Sequence, residues 1–205
     1  MTATPRVFTR LTDVPWDRYH GLLFDCDGTL ADTMPLHYEA WLEALKPTGV
    51  DFPRARYMSL AGMPTKQILR TLSAEQGIPL DYEALLPKKE DLFLALLREV
   101  RGIEPVIDVA RRSRGTVPMA VVSGGIRRAV ELTLQAVGVH GWFCAIVTAE
   151  DTEHGKPHPD PFLLAAERAG VAAADRCLVF EDGDLGLESA RRAGMDAVDV
   201  RGFAT

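Results

Sequence analysis

The sequence predicts an α/β protein: a parallel sheet covered by helices on both faces, broken after its first strand by an all-helical insertion. Three observations predict it. From residue 102 onward, short apolar runs of strand type alternate with segments of helical period, the pattern of a sheet built through right-handed crossovers. Residues 34–101 carry helical periodicity and no strand pattern. Acidic, hydroxyl and lysine residues fall just after the apolar runs, where such sheets bind ligands.

Composition narrows the function classes. A chain of 205 residues can bury a sizeable core, and its 47% apolar and 25% charged residues are usual for a globular protein in water. A net charge of −6 argues against nucleic acid or an anionic membrane as partner. It leaves room for a small phosphorylated metabolite held by local positive charge. No apolar stretch reaches membrane-spanning length, and residues 1–10 lack a signal-peptide pattern. Cys26, Cys144 and Cys177 have neither metal-ligand nor disulfide spacing, so they read as reduced thiols of a cytoplasmic protein. The expected assembly is a monomer or weak dimer.

Taken in order, residues 1–20 carry Pro5 and Pro15 without a period and are expected to form an irregular arm. Residues 21–25 make the first strand. Pro35 suits a first helical turn, and Leu36, Ala40, Trp41, Ala44 and Leu45 recur at helical spacing until Pro47 and Gly49 end the pattern. Further helices are expected over 53–61, 65–76 and 82–101, with Pro87 interrupting the start of the last. Helix 105–114, strand 119–122, helix 126–138 and strand 144–148 follow. Helix 160–170, strand 178–180, helix 184–194 and strand 197–200 complete the alternation. The expected division is a core of 1–33 and 102–205 around an insertion of 34–101.

The densest polar signal is Asp25-Cys26-Asp27-Gly28-Thr29. Two carboxylates at the mouth of a buried strand are costly unless a cation or a substrate pairs them. Ser123, Lys156 and Glu181-Asp182 punctuate later strands, so four separate regions converge on one rim. Carboxylates with one lysine and hydroxyls suit a hard cation such as Mg²⁺, and that ion with Lys156 would bind a phosphate dianion. Asp25 is a candidate nucleophile toward phosphorus and Asp27 a candidate proton carrier. Ser123, Thr29 and the N–H groups of the Gly28 turn are candidates to bind phosphate oxygens. No P-loop or dinucleotide glycine pattern competes with this reading.

In order and spacing, Asp25-Cys26-Asp27-Gly28-Thr29-Leu30, Ser123, Lys156-Pro157 and Glu181-Asp182 resemble the four motifs of the haloacid dehalogenase superfamily. Asp32-Thr33 and Ala190-x-x-Ala193-Gly194-Met195 are similar to it as well, and the resemblance spans roughly residues 20–200. It implies a Rossmann-like core with a helical cap domain inserted after the first motif. It implies Mg²⁺ held by Asp25, the backbone carbonyl of Asp27, and Asp182, with Glu181 nearby. Among branches, the chain looks most like the β-phosphoglucomutase-like phosphatases, especially sugar phosphatases of the fructose-1-phosphate type. The implied activity is hydrolysis of a small sugar or polyol phosphate through an aspartyl-phosphate on Asp25. Asp27 sets the chain apart from dehalogenases and phosphonoacetaldehyde hydrolases, which lack the second acid. A β-phosphoglucomutase-type hexose phosphate isomerase is the alternative, since Thr33, His37 and Lys89 match positions that such mutases use. Substrate contacts are expected from Thr33, His37, Gly62, Lys89, Gly124, Gly125 and Arg127. Arg127 or Arg128 would supply the polar group that the bare Gly124-Gly125 loop lacks.

Other residues have plainer readings. Asp184 is expected to cap the helix that follows. Trp41, Phe93 and the leucines of the insertion read as its own core. His154 and His158 flank Lys156 at a spacing that metals use, and read as solvated side chains of a polar loop.

Overall fold

The computed structural model describes residues 4–60 and 63–203. The contact expected from Gly62 lies outside the described residues. Six parallel strands form one sheet: β1 (Val7–Phe8), β2 (Gly21–Phe24), β3 (Met119–Val122), β4 (Ala145–Val147), β5 (Cys177–Glu181) and β6 (Asp196–Asp199), in the order β1-β6-β5-β2-β3-β4. The central strands β2, β3 and β5 are buried along their whole length, which explains why they read as unbroken apolar runs rather than alternating ones.

Helices cover both faces. Leu22, Phe24, Val121, Leu178 and Phe180 pack beneath α5 (Glu104–Ser113) and α6 (Arg127–Ala136). Leu23, Ala120, Val122 and Val179 pack beneath α7 (Asp160–Arg168) and α8 (Asp184–Arg192). Period-two geometry sends neighbouring side chains to opposite faces, so a single strand feeds two cores. Phe24 lies at the centre of the first, stacked on Phe180 with ring centroids 4.6 Å apart.

Between β2 and α5 stand α1 (Met34–Leu45), α2 (Arg54–Ser59), α3 (Thr65–Gln76) and α4 (Tyr82–Leu96). They enclose a hydrophobic cluster of their own, with Trp41, Leu45, Phe52, Tyr57, Leu69, Leu72 and Leu85. A smaller cluster joins Leu36, Ala40, Phe93 and Leu97 to Ala129 of α6, fastening this helical segment to the sheet domain. No helix among the described residues is long and apolar enough to cross a membrane.

Three local expectations change. The N-terminal arm is not wholly irregular, because Val7–Phe8 pairs with β6 as an edge strand. Two residues cannot display a period. What holds them is polar: the Arg6 backbone N–H donates to Asp196 Oδ1 at 2.7 Å, its guanidinium reaches Oδ2 at 2.9 Å, and the Tyr19 hydroxyl reaches Oδ2 at 2.7 Å. Pro87 does not interrupt α4, which runs through it from an Asp81 side chain that accepts the Ala84 N–H at 3.1 Å. A proline one turn into a helix removes a single hydrogen bond near an already frayed end. The same helix stops at Leu96 and tightens into a 3₁₀ turn over Leu97–Glu99.

From β2 the chain steps outward to β3 and β4, then returns to β5 on the other side. The crevice beyond the carboxyl ends of β2, β3 and β5 is therefore the switch point at which such sheets bind ligands.

Candidate active site

Asp25 is the residue after β2, and its N–H still donates to the Phe180 carbonyl at 2.9 Å. That bond sets its carboxylate beside the end of β5. The chain must then turn sharply, and Gly28 does so at φ +83, its N–H donating to the Ala31 carbonyl at 2.8 Å. Space matters there as much as torsion: a Cβ on Gly28 would stand 2.2 Å from Asp182 Oδ2.

Lys156 arrives on the loop after β4. Its Nζ donates to Asp25 Oδ1 at 2.6 Å, to Glu181 Oε2 at 2.7 Å and to the Val122 carbonyl at 3.0 Å, using all three ammonium hydrogens. Burial opposes the charge, but Asp25 and Glu181 outweigh it and raise the lysine pKa. The Lys156–Pro157 peptide is cis.

Asp27 keeps different company. Oδ1 accepts from Thr33 Oγ1 at 2.8 Å and faces His37 Nε2 at 3.4 Å, while Oδ2 accepts from Ser123 Oγ at 3.3 Å. Burial pushes its pKa up, but the hydrogen bonds from His37 and the Thr33 hydroxyl, with the Lys89 charge behind them, reverse this and hold it at about 2. Ser123 is itself fixed, because its Oγ accepts the Gly125 N–H at 3.0 Å. His37 stacks on Phe93 with centroids 3.7 Å apart, and its Nδ1 stands 2.9 Å from Lys89 Nζ. Burial, followed by the Lys89 charge, lowers the His37 pKa and keeps the ring neutral. Lys89 is buried over Trp41 and Phe93, not solvated as its charged neighbours in the sequence suggest.

Asp25, Glu181 and Asp182 each present a carboxylate oxygen, all within 4.8 Å of one another. Burial, then the charge of Asp25, raises the pKa of both Glu181 and Asp182. Three crowded carboxylates with one ammonium are short of positive charge, and an all-oxygen donor set fits Mg²⁺. The acids are not equivalent. Glu181 is committed to Lys156 through Oε2 and to the Gly183 N–H through Oε1 at 3.2 Å. Asp182 accepts only the Thr29 hydroxyl, at 3.2 Å, among side-chain donors of the described residues. Asp25 and Glu181 share Lys156, so Asp182 keeps the most acceptor capacity for a cation among the three.

The other expected residues divide. Thr33 and His37 meet Asp27 directly, and Lys89 reaches it through His37. Gly125 borders Ser123 and Asp27, where a Cβ would lie 3.3 Å from Ser123 Oγ, whereas Gly124 faces open space. Arg127 is committed elsewhere: its guanidinium meets Asp151 Oδ2 at 2.5 Å and the Ile146 carbonyl at 3.3 Å. A well-paired guanidinium is costly to detach, so the carboxylate at Asp151 decides the direction of this side chain. Asp184 does not cap α8; its carboxylate accepts from Arg201 at 2.8 Å, and Gly183 occupies the cap position. Sequence reading missed Gly186, where a Cβ would stand 2.0 Å from the Glu181 carboxyl carbon. Its signal was a glycine inside a helix, which commonly marks a close approach.

A family model described as haloacid dehalogenase-like hydrolase matches residues 19–194. The chain belongs to this family. It is 40% identical over 186 residues to the fructose-1-phosphate phosphatase YqaB of Escherichia coli K12, covering 91% of this chain and 98% of that one. It is 25% identical over 181 residues to a phosphorylated carbohydrates phosphatase of Thermotoga maritima, covering 86% and 82%. Among solved structures, CbbY from Rhodobacter sphaeroides in complex with phosphate superposes with a TM-score of 0.79 at 27% identity, covering 88% of this chain and 85% of that one. The Rossmann-like α/β fold of the family's hydrolases is the fold seen here.

Proposed function

We propose that this protein hydrolyses a monophosphate ester of a small sugar or polyol, with Mg²⁺ as cofactor and an aspartyl-phosphate, a mixed anhydride, on Asp25 as the intermediate. The supporting observation is the asymmetry of two carboxylates two residues apart. Asp25 sits on Lys156 among the acids that fit a cation, and Asp27 sits on Thr33, Ser123 and a neutral His37. One is built to attack and the other to carry a proton.

Asp25 attacks phosphorus and the ester P–O bond breaks, while Asp27 protonates the leaving oxygen. Asp27 is ionised at rest; a phosphate dianion beside it raises its proton affinity, so it takes a proton from solvent as substrate binds and returns one to solvent when inorganic phosphate leaves. Water then attacks phosphorus as Asp27 takes its proton, the bond to Asp25 breaks, and inorganic phosphate leaves. Ser123 and the Gly124 N–H bind phosphoryl oxygens, while Lys156, with its three N–H bonds on Asp25, Glu181 and the Val122 carbonyl, supplies positive charge beside the phosphoryl group and holds the nucleophile. Mg²⁺ held by Asp25, Asp182 and the Asp27 carbonyl, with Glu181 beside them, would neutralise phosphate charge. Residues 34–101 act as a cap domain, closing the crevice against water and choosing the substrate. The relatives named for phosphatase action on fructose 1-phosphate and on phosphorylated carbohydrates support a sugar phosphate.

The test is phosphate release from a panel of sugar and polyol phosphates with Mg²⁺, against EDTA controls. Release from one or more members is expected; no release from any would overturn the reading. The mutase reading draws on the tie from Lys89 through His37 to Asp27, and conversion of β-glucose 1-phosphate to glucose 6-phosphate without phosphate release would favour it.

A further inference from the structure

The loop that carries Lys156 holds a second group of ligand atoms with a different chemistry. His154, His158 and Asp160 each offer one donor atom, all within 4.8 Å of one another. The two imidazoles already stack with centroids 4.7 Å apart, and His154 Nδ1 stands 3.3 Å from Asp160 Oδ2. The backbone beneath them is anchored. Asp160 opens α7, the His158 N–H donates to the Gly155 carbonyl at 3.0 Å, and the His158 carbonyl accepts from Ser189 on α8.

We propose that His154, His158 and Asp160 form a binding site for a divalent transition metal of the zinc type, separate from the acid cluster of the crevice. Two imidazoles and one carboxylate favour Zn²⁺, Ni²⁺ or Cu²⁺, whereas the all-oxygen set of Asp25, Glu181 and Asp182 favours a hard ion. The His154 and Asp160 side chains are 52% and 44% exposed, so water completes the coordination sphere and little desolvation opposes binding. A metal there would close residues 154–160 into a ring with Lys156 inside it. Lys156 Nζ is already spread over Asp25, Glu181 and Val122, so closure holds the lysine where it stands. Occupancy therefore stabilises the protein.

The experiment uses the tag-free full-length chain with Mg²⁺ in large excess, so that the crevice acids are occupied. Calorimetric titration with Zn²⁺ is expected to show one tight equivalent. A hundredfold excess of free Zn²⁺ over Kd should raise Tm by about 5 °C or more. Co²⁺ in place of Zn²⁺ should give the visible absorption of an imidazole-ligated ion. The double variant His154→Gln with His158→Gln, both at exposed positions, should match the native Tm without metal yet lose the zinc shift and the cobalt band. Asp182→Asn should retain both. No zinc-dependent shift in the native chain, or a shift that survives in the double-histidine variant, overturns the proposal. So does a shift lost in Asp182→Asn, because zinc would then be in the crevice.

Discussion

Lys89 Nζ stands 2.9 Å from His37 Nδ1, and the far side of the same ring faces Asp27 Oδ1 at 3.4 Å. One imidazole thus ties helix α4 of the insertion to the second acid of the crevice. An ammonium only donates, so Nδ1 accepts and the ring hydrogen is assigned to Nε2, aimed at Asp27. Replacing Lys89 by Met removes that restraint and leaves a buried ring nitrogen unpaired, a cost of roughly 1–3 kcal/mol. If the tie serves Asp27, kcat should fall by about tenfold or more while KM changes less. Steady-state phosphate release checks it, and an unchanged kcat would detach the pair from the chemistry.

The two acids should fail differently. Asp25→Asn removes the nucleophile and should reduce phosphate release to the background of the assay. Asp27→Asn keeps the nucleophile and the carboxylates that fit the ion, so Mg²⁺ affinity should persist while kcat falls by about 10²–10⁴. Parallel Mg²⁺ titrations of both variants and the native chain separate the roles. A near-normal rate for Asp27→Asn would exclude it as the proton carrier.

Gly28 links backbone to ion. Alanine there meets both a left-handed φ of +83 and Asp182 Oδ2 at 2.2 Å, so the carboxylate must move. Gly28→Ala should lower Tm, in line with a cost on the order of 1–3 kcal/mol for strained backbone. It should also raise the Mg²⁺ concentration that gives half-maximal activity. The second effect is diagnostic, because strain alone would leave the magnesium response unchanged.

Asp151 gives the clearest acid sensitivity. Burial pushes its pKa up, but the Thr148 N–H and hydroxyl, Arg168 and Arg127 reverse this and hold it at about 2. A carboxyl depressed in the folded state stabilises fully above its unfolded value of about 3.9, and the benefit is lost as pH falls toward 2. Asp151→Asn should therefore cost about 1–2 kcal/mol at pH 7, after allowing for the part-exposed arginines. The gap from the native chain should close below about pH 3. Urea midpoints at several pH values measure it; a gap independent of pH would mean the loss is not electrostatic.

Much of this was legible because the signals are local. Runs such as Met119-Ala-Val-Val122 announce buried strands, and each acid or hydroxyl that follows inherits the strand's end as its address. The family resemblance rested on those same addresses. Arg127 was misread because its partner Asp151 lies far along the chain and neither residue carries a periodic signal. Lys89 was named from the resemblance, but its burial was not legible: in a charged run it depends on Trp41 and Phe93 meeting it from the folded side.

By itself, the sequence determined the α/β class, the insertion after β2 and the four stretches that reach the rim of the sheet. Those follow from periodicity and from which residues end each strand, and both are written in consecutive positions. Only the tertiary structure decided which oxygen meets which donor: Asp25 and Glu181 sharing Lys156, Asp27 shared by Thr33, His37 and Ser123, and Asp160 brought beside His154. Hydrogen bonds between side chains act over about 3 Å, and distance on that scale is set by packing between elements, not by order along the chain.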